Sequence, residues 1–193
     1  MKGIDVSEWQ EDIDWRAVRN TGIEFAICRS SYGKKHFDTT FQRHVEGAHR
    51  AGLICGAYHY SYALTPADAV AEAQYCKWVI ENSGVLLELP VFFDMEDDNT
   101  KAYYDFDYSR RNVTEICRAF LSEIKPLNAG VYASLSWLED LIDWRSLNCP
   151  IWNAQYYRQD FFQGYMWQYT DRLMIGGQQF DGNILYDEND RPQ

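Results

Sequence analysis

The chain reads as an α/β protein, a TIM-like barrel of five βα units followed by three strands, and three observations point to it. Short apolar segments alternate with longer amphipathic ones through residue 132, the pattern of parallel strands joined by helical crossovers. After residue 148 the alternation gives way to strand-like segments separated by stretches too short for full helices. The 193 residues fall short of the roughly 250 that eight complete βα units take, so a closed barrel would have to dispense with some outer helices. An open doubly wound sheet is the structural alternative.

The elements follow in order. A strand over 3–6 precedes a helical stretch at 14–21, a second strand over 25–28 precedes 41–51, and a third over 53–60 precedes 67–82. The third helix carries its own punctuation: Thr65 as cap, Pro66 at the first helical position, and Asn82-Ser83-Gly84 as a left-handed stop. The apolar run 91–93 leads to the helix-like 112–125 and a strand over 129–132. Strand candidates over 150–154, 165–169 and 178–181 complete the barrel. No repeat or low-complexity linker divides the chain, so residues 1–193 read as a single domain, with 187–193 a polar, frayed tail.

Composition excludes several classes of function. A formal net charge of −11 without any Lys/Arg stripe would repel a phosphate backbone, so nucleic acid is not an expected partner. No apolar run approaches the roughly 18–20 residues needed to span a bilayer, and the sequence enters a strand directly, so no signal peptide is expected within it, while a longer precursor could carry one. Five cysteines, odd in number and widely spaced in apolar contexts, read as buried thiols. Four scattered histidines and the absence of C-x-x-C, G-x-G-x-x-G or P-loop patterns give no support to a metal or nucleotide cofactor. A monomer whose chemistry comes from side chains alone is the expectation, and the aromatic content of 16% suits a sugar-binding groove as well as a core.

The segment Leu89-Pro90-Val91-Phe92-Phe93-Asp94-Met95-Glu96 is the most informative. Residues two apart on a strand share a face, which places the carboxyls of Asp94 and Glu96 roughly 5–8 Å apart. That interval spans both the retaining and the inverting arrangements of glycosidase carboxylates and leaves the stereochemical course open. The plain structural reading is an acidic strand end continuing into Asp97 and Asp98. Asp5 closes the first strand and Asp181 the last; an Asx turn and an Asp-Gly turn are their structural readings. In a barrel, however, strand ends converge on one mouth, bringing Asp5, Asp94, Glu96 and Asp181 together. So many carboxyls in partly desolvated space cannot all ionise, and one retained proton is what an acid-catalysed glycosidic cleavage requires. Glu96, with the longer side chain, is the expected proton donor, with Asp94 beneath it raising its proton affinity. Arg29, Tyr60, Tyr132, Trp152, Gln155, Trp167 and Gln168 fall near strand ends as candidate substrate contacts, Arg29 alternatively as a buried counter-ion. His59 reads as a core histidine, and Trp9 and Trp15 as packing residues.

Gly3-Ile4-Asp5-Val6-Ser7-Glu8-Trp9-Gln10 with Ile13-Asp14-Trp15 resembles the opening of glycoside hydrolase family 25, the Chalaropsis-type lysozymes. Further landmarks resemble the family in order: Ala51-Gly52-Leu53, Gly56-Ala57-Tyr58-His59-Tyr60, Phe93-Asp94-Met95-Glu96, Trp167-Gln168-Tyr169 and Phe180-Asp181-Gly182-Asn183. The resemblance implies the barrel above and N-acetylmuramidase activity on the glycan strands of bacterial peptidoglycan. It implies Glu96 as the acid beside Asp94, Asp5 and Asp181, with no metal or organic cofactor. It also implies a secreted or wall-associated enzyme, or a phage endolysin released at lysis. Two departures stand out: Asn153 where an apolar residue is expected, and the aromatic, acidic stretch 101–108, which suits a lid or an extra wall of the groove. A chitinase-like enzyme lacks support, since Leu89 and Phe92 interrupt the acidic ladder D-x-x-D-x-D-x-E. A carbohydrate-binding protein without turnover is the reading from another class.

Overall fold

The computed structural model describes residues 1–97, 101 and 104–186; the tail expected to fray, 187–193, lies outside them. The chain runs β1 (Lys2–Val6), α1 (Trp15–Asn20), β2 (Phe25–Tyr32), β3 (His36–Phe37), α2 (Phe41–Arg50), β4 (Ile54–Tyr60), α3 (Pro66–Ser83) and β5 (Val91–Asp94). It continues with α4 (Arg110–Glu123), β6 (Ala129–Ser134), α5 (Leu135–Asp140), β7 (Ile151–Ala154), β8 (Met166–Ile175) and β9 (Gln178–Leu185). Among the described residues these strands form one sheet in the order β1-β9-β8-β7-β6-β5-β4-β2-β3, and a further β1–β2 pairing closes eight of them into a barrel. Pairing is parallel from β1 round to β8, while β9 is antiparallel to both neighbours. The arrangement is the expected five βα units followed by three strands, with β3 a short appended edge on β2.

Local chemistry accounts for the best-defined helix as the sequence suggests. Thr65 accepts from the Asp68 amide in a reciprocal capping box, Pro66 occupies the first turn, and Gly84 ends α3 at φ 68°. Three strands run longer than hydropathy suggests. β2 continues through Ser30 and Ser31, which are fully buried because the Ser30 hydroxyl donates to Tyr58 O at 3.0 Å and Ser31 Oγ meets His59 Nδ1 at 2.8 Å. β8 and β9 extend past the barrel as a hairpin turned by Gly176 and Gly177, at φ 60° and 88°; two consecutive positive φ values match the strand twist in a two-residue loop.

Alternation along the strands separates two apolar layers. Phe25, Ile27, Phe92, Tyr132, Trp152 and Met166 fill the barrel interior. Val6, Cys28, Phe93, Ile116, Phe120 and Val131 pack between the sheet and its helices. Phe92 therefore faces inward and Phe93 outward, and Asp94, on the face of Phe92, emerges inside the barrel mouth. His59 belongs to the outer layer, fully buried beside Phe93 and Phe120. Its Nε2 lies 3.4 Å from a Glu72 carboxylate oxygen, an ion-pair contact without hydrogen-bond geometry. Desolvation opposes charge on its ring, but Cys76 and Glu72 outweigh it and raise the pKa to about 9. All five cysteines are free thiols. Asn153, where an apolar residue is expected, is buried with its Nδ2 donating to Asp160 Oδ1 at 3.1 Å.

Gly130 on β6 lets the inner layer close. A Cβ there would lie 2.3 Å from Pro150 O and 2.9 Å from the Phe92 ring, and the carbonyl cannot move without disturbing β7. Gly130→Ala is therefore expected to destabilise the protein by about 1–3 kcal/mol, the usual cost of overpacking. Thermal unfolding of the purified variant checks this, and an unchanged midpoint would contradict the packing described.

Candidate active site

The sheet register delivers four carboxylates to one mouth. Asp5 lies one residue before the end of β1, and because β9 runs antiparallel, Asp181 stands directly opposite it. Asp94 is the last residue of β5, and Glu96 follows two residues later. All four line a cleft of about 320 Å³, together with Arg29, Tyr58, Tyr60, Tyr132, Trp152, Tyr156 and Gln168. Asp5 and Asp94 are nearly closed to solvent, at 6% and 5% exposure, while Glu96 is half-buried at the opening. A larger hollow of about 1370 Å³ lies at the other end of the barrel near Met1, Leu89, Asn128 and Pro150. Among its described lining residues Glu139 is the single carboxylate, so it offers no comparable acid chemistry.

Asp5 is held by a chain of side-chain amides. Its Oδ2 accepts from Gln168 Nε2 at 3.0 Å and from Asn183 Nδ2 at 2.7 Å. The Gln168 carbonyl oxygen in turn accepts from the hydroxyls of Tyr132 and Tyr156, each at 2.9 Å. The Asn183 carbonyl oxygen accepts from the Trp152 indole N–H at 2.8 Å. These donors fix both amides with their NH₂ groups toward Asp5. Asp94 has no such support: its buried Oδ1 has no hydrogen-bond partner among the described residues.

Desolvation governs the electrostatics. Burial first, and then the charges of Glu96 and Asp5, push the Asp94 carboxyl well above the usual range. Burial, then the facing Asp181, does the same to Asp5 against the pull of Asn183 and Gln168. Burial also raises Asp181. The Tyr58 and Tyr132 phenols are likewise raised, by burial first and by neighbouring carboxylates second. Lys101 opposes the trend: fully buried, it donates from Nζ to Ser61 O at 2.9 Å, and its charge lowers Asp94.

The site gathers Arg29, Tyr60, Tyr132, Trp152 and Gln168 as expected, but Arg29 acts first as a structural cation. Its Nε meets Asp38 at 2.9 Å and its NH2 meets Glu8 at 2.8 Å. Gln155 and Trp167 do not line the cleft. Alternation on β8 turns Gln168 in and Trp167 out, so the indole N–H donates to Gln155 O at 2.7 Å. Gln155 itself is buried and donates to Gln159 O at 2.8 Å. None of the described residues of 101–108 lines the cleft, so the expected lid or wall role is not seen there; Lys101 points beneath the mouth instead. Trp9, expected to pack, is 81% exposed at the cleft rim. Asn183 was not among the expected site residues, although it follows Asp181 by two positions and strand periodicity places both on one face. Among the described residues no cluster of His, Cys, Asp and Glu has the arrangement of a metal site, and no helix is long and apolar enough to cross a membrane.

A barrel that gathers desolvated carboxylates and aromatic walls at the C-terminal ends of its strands has the architecture of a glycosidase acting through carboxyl groups. The chain belongs to the glycosyl hydrolases family 25, whose family model matches residues 4–178. It is 28% identical over 180 residues to the autolytic lysozyme of Clostridium acetobutylicum, covering 92% of this chain and 52% of that protein. It is 26% identical over 194 residues to lysozyme M1 of Streptomyces globisporus, covering 92% and 64%. The chain thus spans between about half and two-thirds of the length of these relatives. Among solved structures it resembles the bacterial lysozyme of Streptomyces coelicolor, with a TM-score of 0.80, 25% identity, and coverage of 97% of this chain and 92% of that one.

The amide chain around Asp5 makes a direct prediction. Asn183→Asp keeps the acceptor for Trp152 but replaces the donor to Asp5 with another acid. Losing the donor and adding a like charge should cost about 2 kcal/mol, or roughly 4–8 °C of melting temperature for a chain of this size. The loss should deepen as pH rises and the new carboxyl ionises. Melting temperatures equal to wild type across pH 5–8 would contradict the hydrogen-bond assignment.

Proposed function

We propose that the chain is an N-acetylmuramidase that hydrolyses the β-1,4 bond between N-acetylmuramic acid and N-acetylglucosamine in peptidoglycan, with Glu96 as general acid. The observation that carries this reading is the buried Asp94 Oδ1 without a partner, in a cleft shared with Glu96, Asp5 and Asp181. A buried carboxylate oxygen costs free energy unless a donor reaches it, and the N–H of a 2-acetamido group is such a donor. Membership of a glycosyl hydrolase family, and the lysozyme names of the two relatives, support the same substrate class.

In the proposed mechanism Glu96, at the solvent side of the cleft, protonates the departing glycosidic oxygen. Asp94 accepts the acetamido N–H and orients its carbonyl oxygen toward the anomeric carbon, so the substrate's own oxygen forms the new bond as the old one breaks. Water, deprotonated by Glu96, then opens this intermediate and returns the acid to its starting state. Asp5 and Asp181, sharing retained proton density across β1 and β9, contribute negative potential as positive charge grows on the sugar ring. Tyr132 and Trp152 form an aromatic wall, with ring centroids 4.5 Å apart. The wall polymer lies outside the cell membrane, so the protein would reach it by secretion or by release at lysis.

Digestion of purified peptidoglycan, followed by mass spectrometry of the released fragments, tests the reading. Reducing-end muramic acid is expected. Glu96→Gln should lower turnover by about 10²–10⁴-fold, the range for loss of a general acid. Reducing-end N-acetylglucosamine would instead assign the other bond. Unreduced turnover in Glu96→Gln would remove that residue from its role.

A further inference from the structure

Trp9 projects from the first loop after Asp5 and is, at 81%, the most exposed large apolar side chain among the described residues. Single exposed apolar side chains are ordinary; one carried on a held backbone beside a reaction cleft is not. The backbone around it is pinned on every side. Gln10 N donates to Ser7 O at 3.0 Å, Ser7 N donates to Gln10 Oε1 at 3.0 Å, and Trp9 N reaches Ser7 Oγ at 3.3 Å. Glu8 N donates to the Asp38 carboxylate at 2.9 Å, while the Glu8 carboxylate holds Arg29 at 2.8 Å. A turn this constrained has little backbone entropy left to lose when something stacks on the indole.

Trp9 is also a shared wall. On one side it lines the carboxylate cleft, and on the other it lines a second hollow of about 450 Å³ bounded by Glu8, Glu11, Asp12, Thr39, Thr40 and Arg43. Arg43 is tied there to the Glu11 carbonyl oxygen and, at 3.3 Å, to Asp12. A flat apolar face bordered by hydroxyls, carboxylates and a guanidinium suits a pyranose, whose axial C–H groups stack while its hydroxyls and amides find polar partners. Three carboxylates against one arginine in the hollow disfavour an anionic sugar.

We propose that Trp9 and the hollow beyond it form a distal subsite for the glycan strand, in which the indole stacks on an uncharged N-acetylglucosamine unit as the strand leaves the carboxylate cleft. The inference rests on the muramidase reading and names a part of the strand that the four carboxylates do not touch. The subsite makes the protein favour long strands over short fragments.

The test compares kcat/KM on long, peptide-free glycan strands with kcat/KM on a tetrasaccharide of the same repeat, for wild type, Trp9→Ala and Trp9→Tyr. The ratio of long to short is expected to fall about tenfold in Trp9→Ala, through KM on the long strand, and to recover in part in Trp9→Tyr. The high exposure of Trp9 makes both variants expected to fold, and circular dichroism verifies it. An unchanged ratio in a folded Trp9→Ala overturns the subsite, and so does an equal loss on both substrates, which would place Trp9 within the reaction centre. A wild-type protein that releases no reducing-end muramic acid overturns the proposed function instead, so the two failures are distinguishable.

Discussion

Gathering four carboxyl groups at one end of a barrel, with Asp5 and Asp94 nearly closed to solvent, is the constraint on which the rest of the site depends. Isolated, such a group would shift its proton equilibrium until it became neutral. The protein supplies only partial relief: two amides and, through them, two tyrosines and a tryptophan support Asp5. A buried lysine lowers Asp94 from beneath. Arg29 is paired with Asp38 and Glu8, so it lowers Asp94 only from a distance. Asp5, Asp94 and Asp181 therefore hold protons more tightly than exposed carboxyls would.

This arrangement has a cost in stability with a definite sign. Asp5, Asp94 and Asp181 have folded-state proton affinities above their ordinary values. Such groups stabilise the fold fully only below the unfolded pKa, and the contribution is lost as pH rises through the folded one. The site is consequently least comfortable in neutral and alkaline solution. A barrel absorbs this better than a looser scaffold, because Asp5 and Asp181 are fixed by backbone register and Asp94 by the strand that also buries Phe92.

Much of this was legible before the fold was known. Period-two alternation puts Asp94 and Glu96 on one face, and the alternation of βα units puts both at the barrel mouth. Thr65, Pro66 and Gly84 marked one helix almost to the residue because capping is local chemistry. What stayed hidden was non-local. Gln155 and Trp167 carry the right functional groups near the right strand ends, yet their orientation depends on how β8 enters the sheet, and both turn away from the cleft. Ser30 and Ser31 lie beyond the strand that hydropathy marks over 25–28, yet β2 continues through them because partners on β4 satisfy their hydroxyls. Trp9 looked like core because an isolated tryptophan usually is; its exposure follows from the capped turn that holds it. Lys101 sits in an acidic, aromatic stretch that reads as a lid or groove wall, and its burial beside Ser61 has no signature in its neighbours.

Burial first, and then the charges of Glu96 and Asp5, hold the proton affinity of Asp94 above the ordinary aspartate range. The carboxyl carbon of Asp94, followed by ¹³C NMR across the folded range and assigned with Asp94→Asn, measures this directly. A titration midpoint clearly above the ordinary aspartate range is the predicted result. A midpoint at the ordinary value, with the protein folded throughout, would contradict it and leave the cleft as a conventional set of ionised acids.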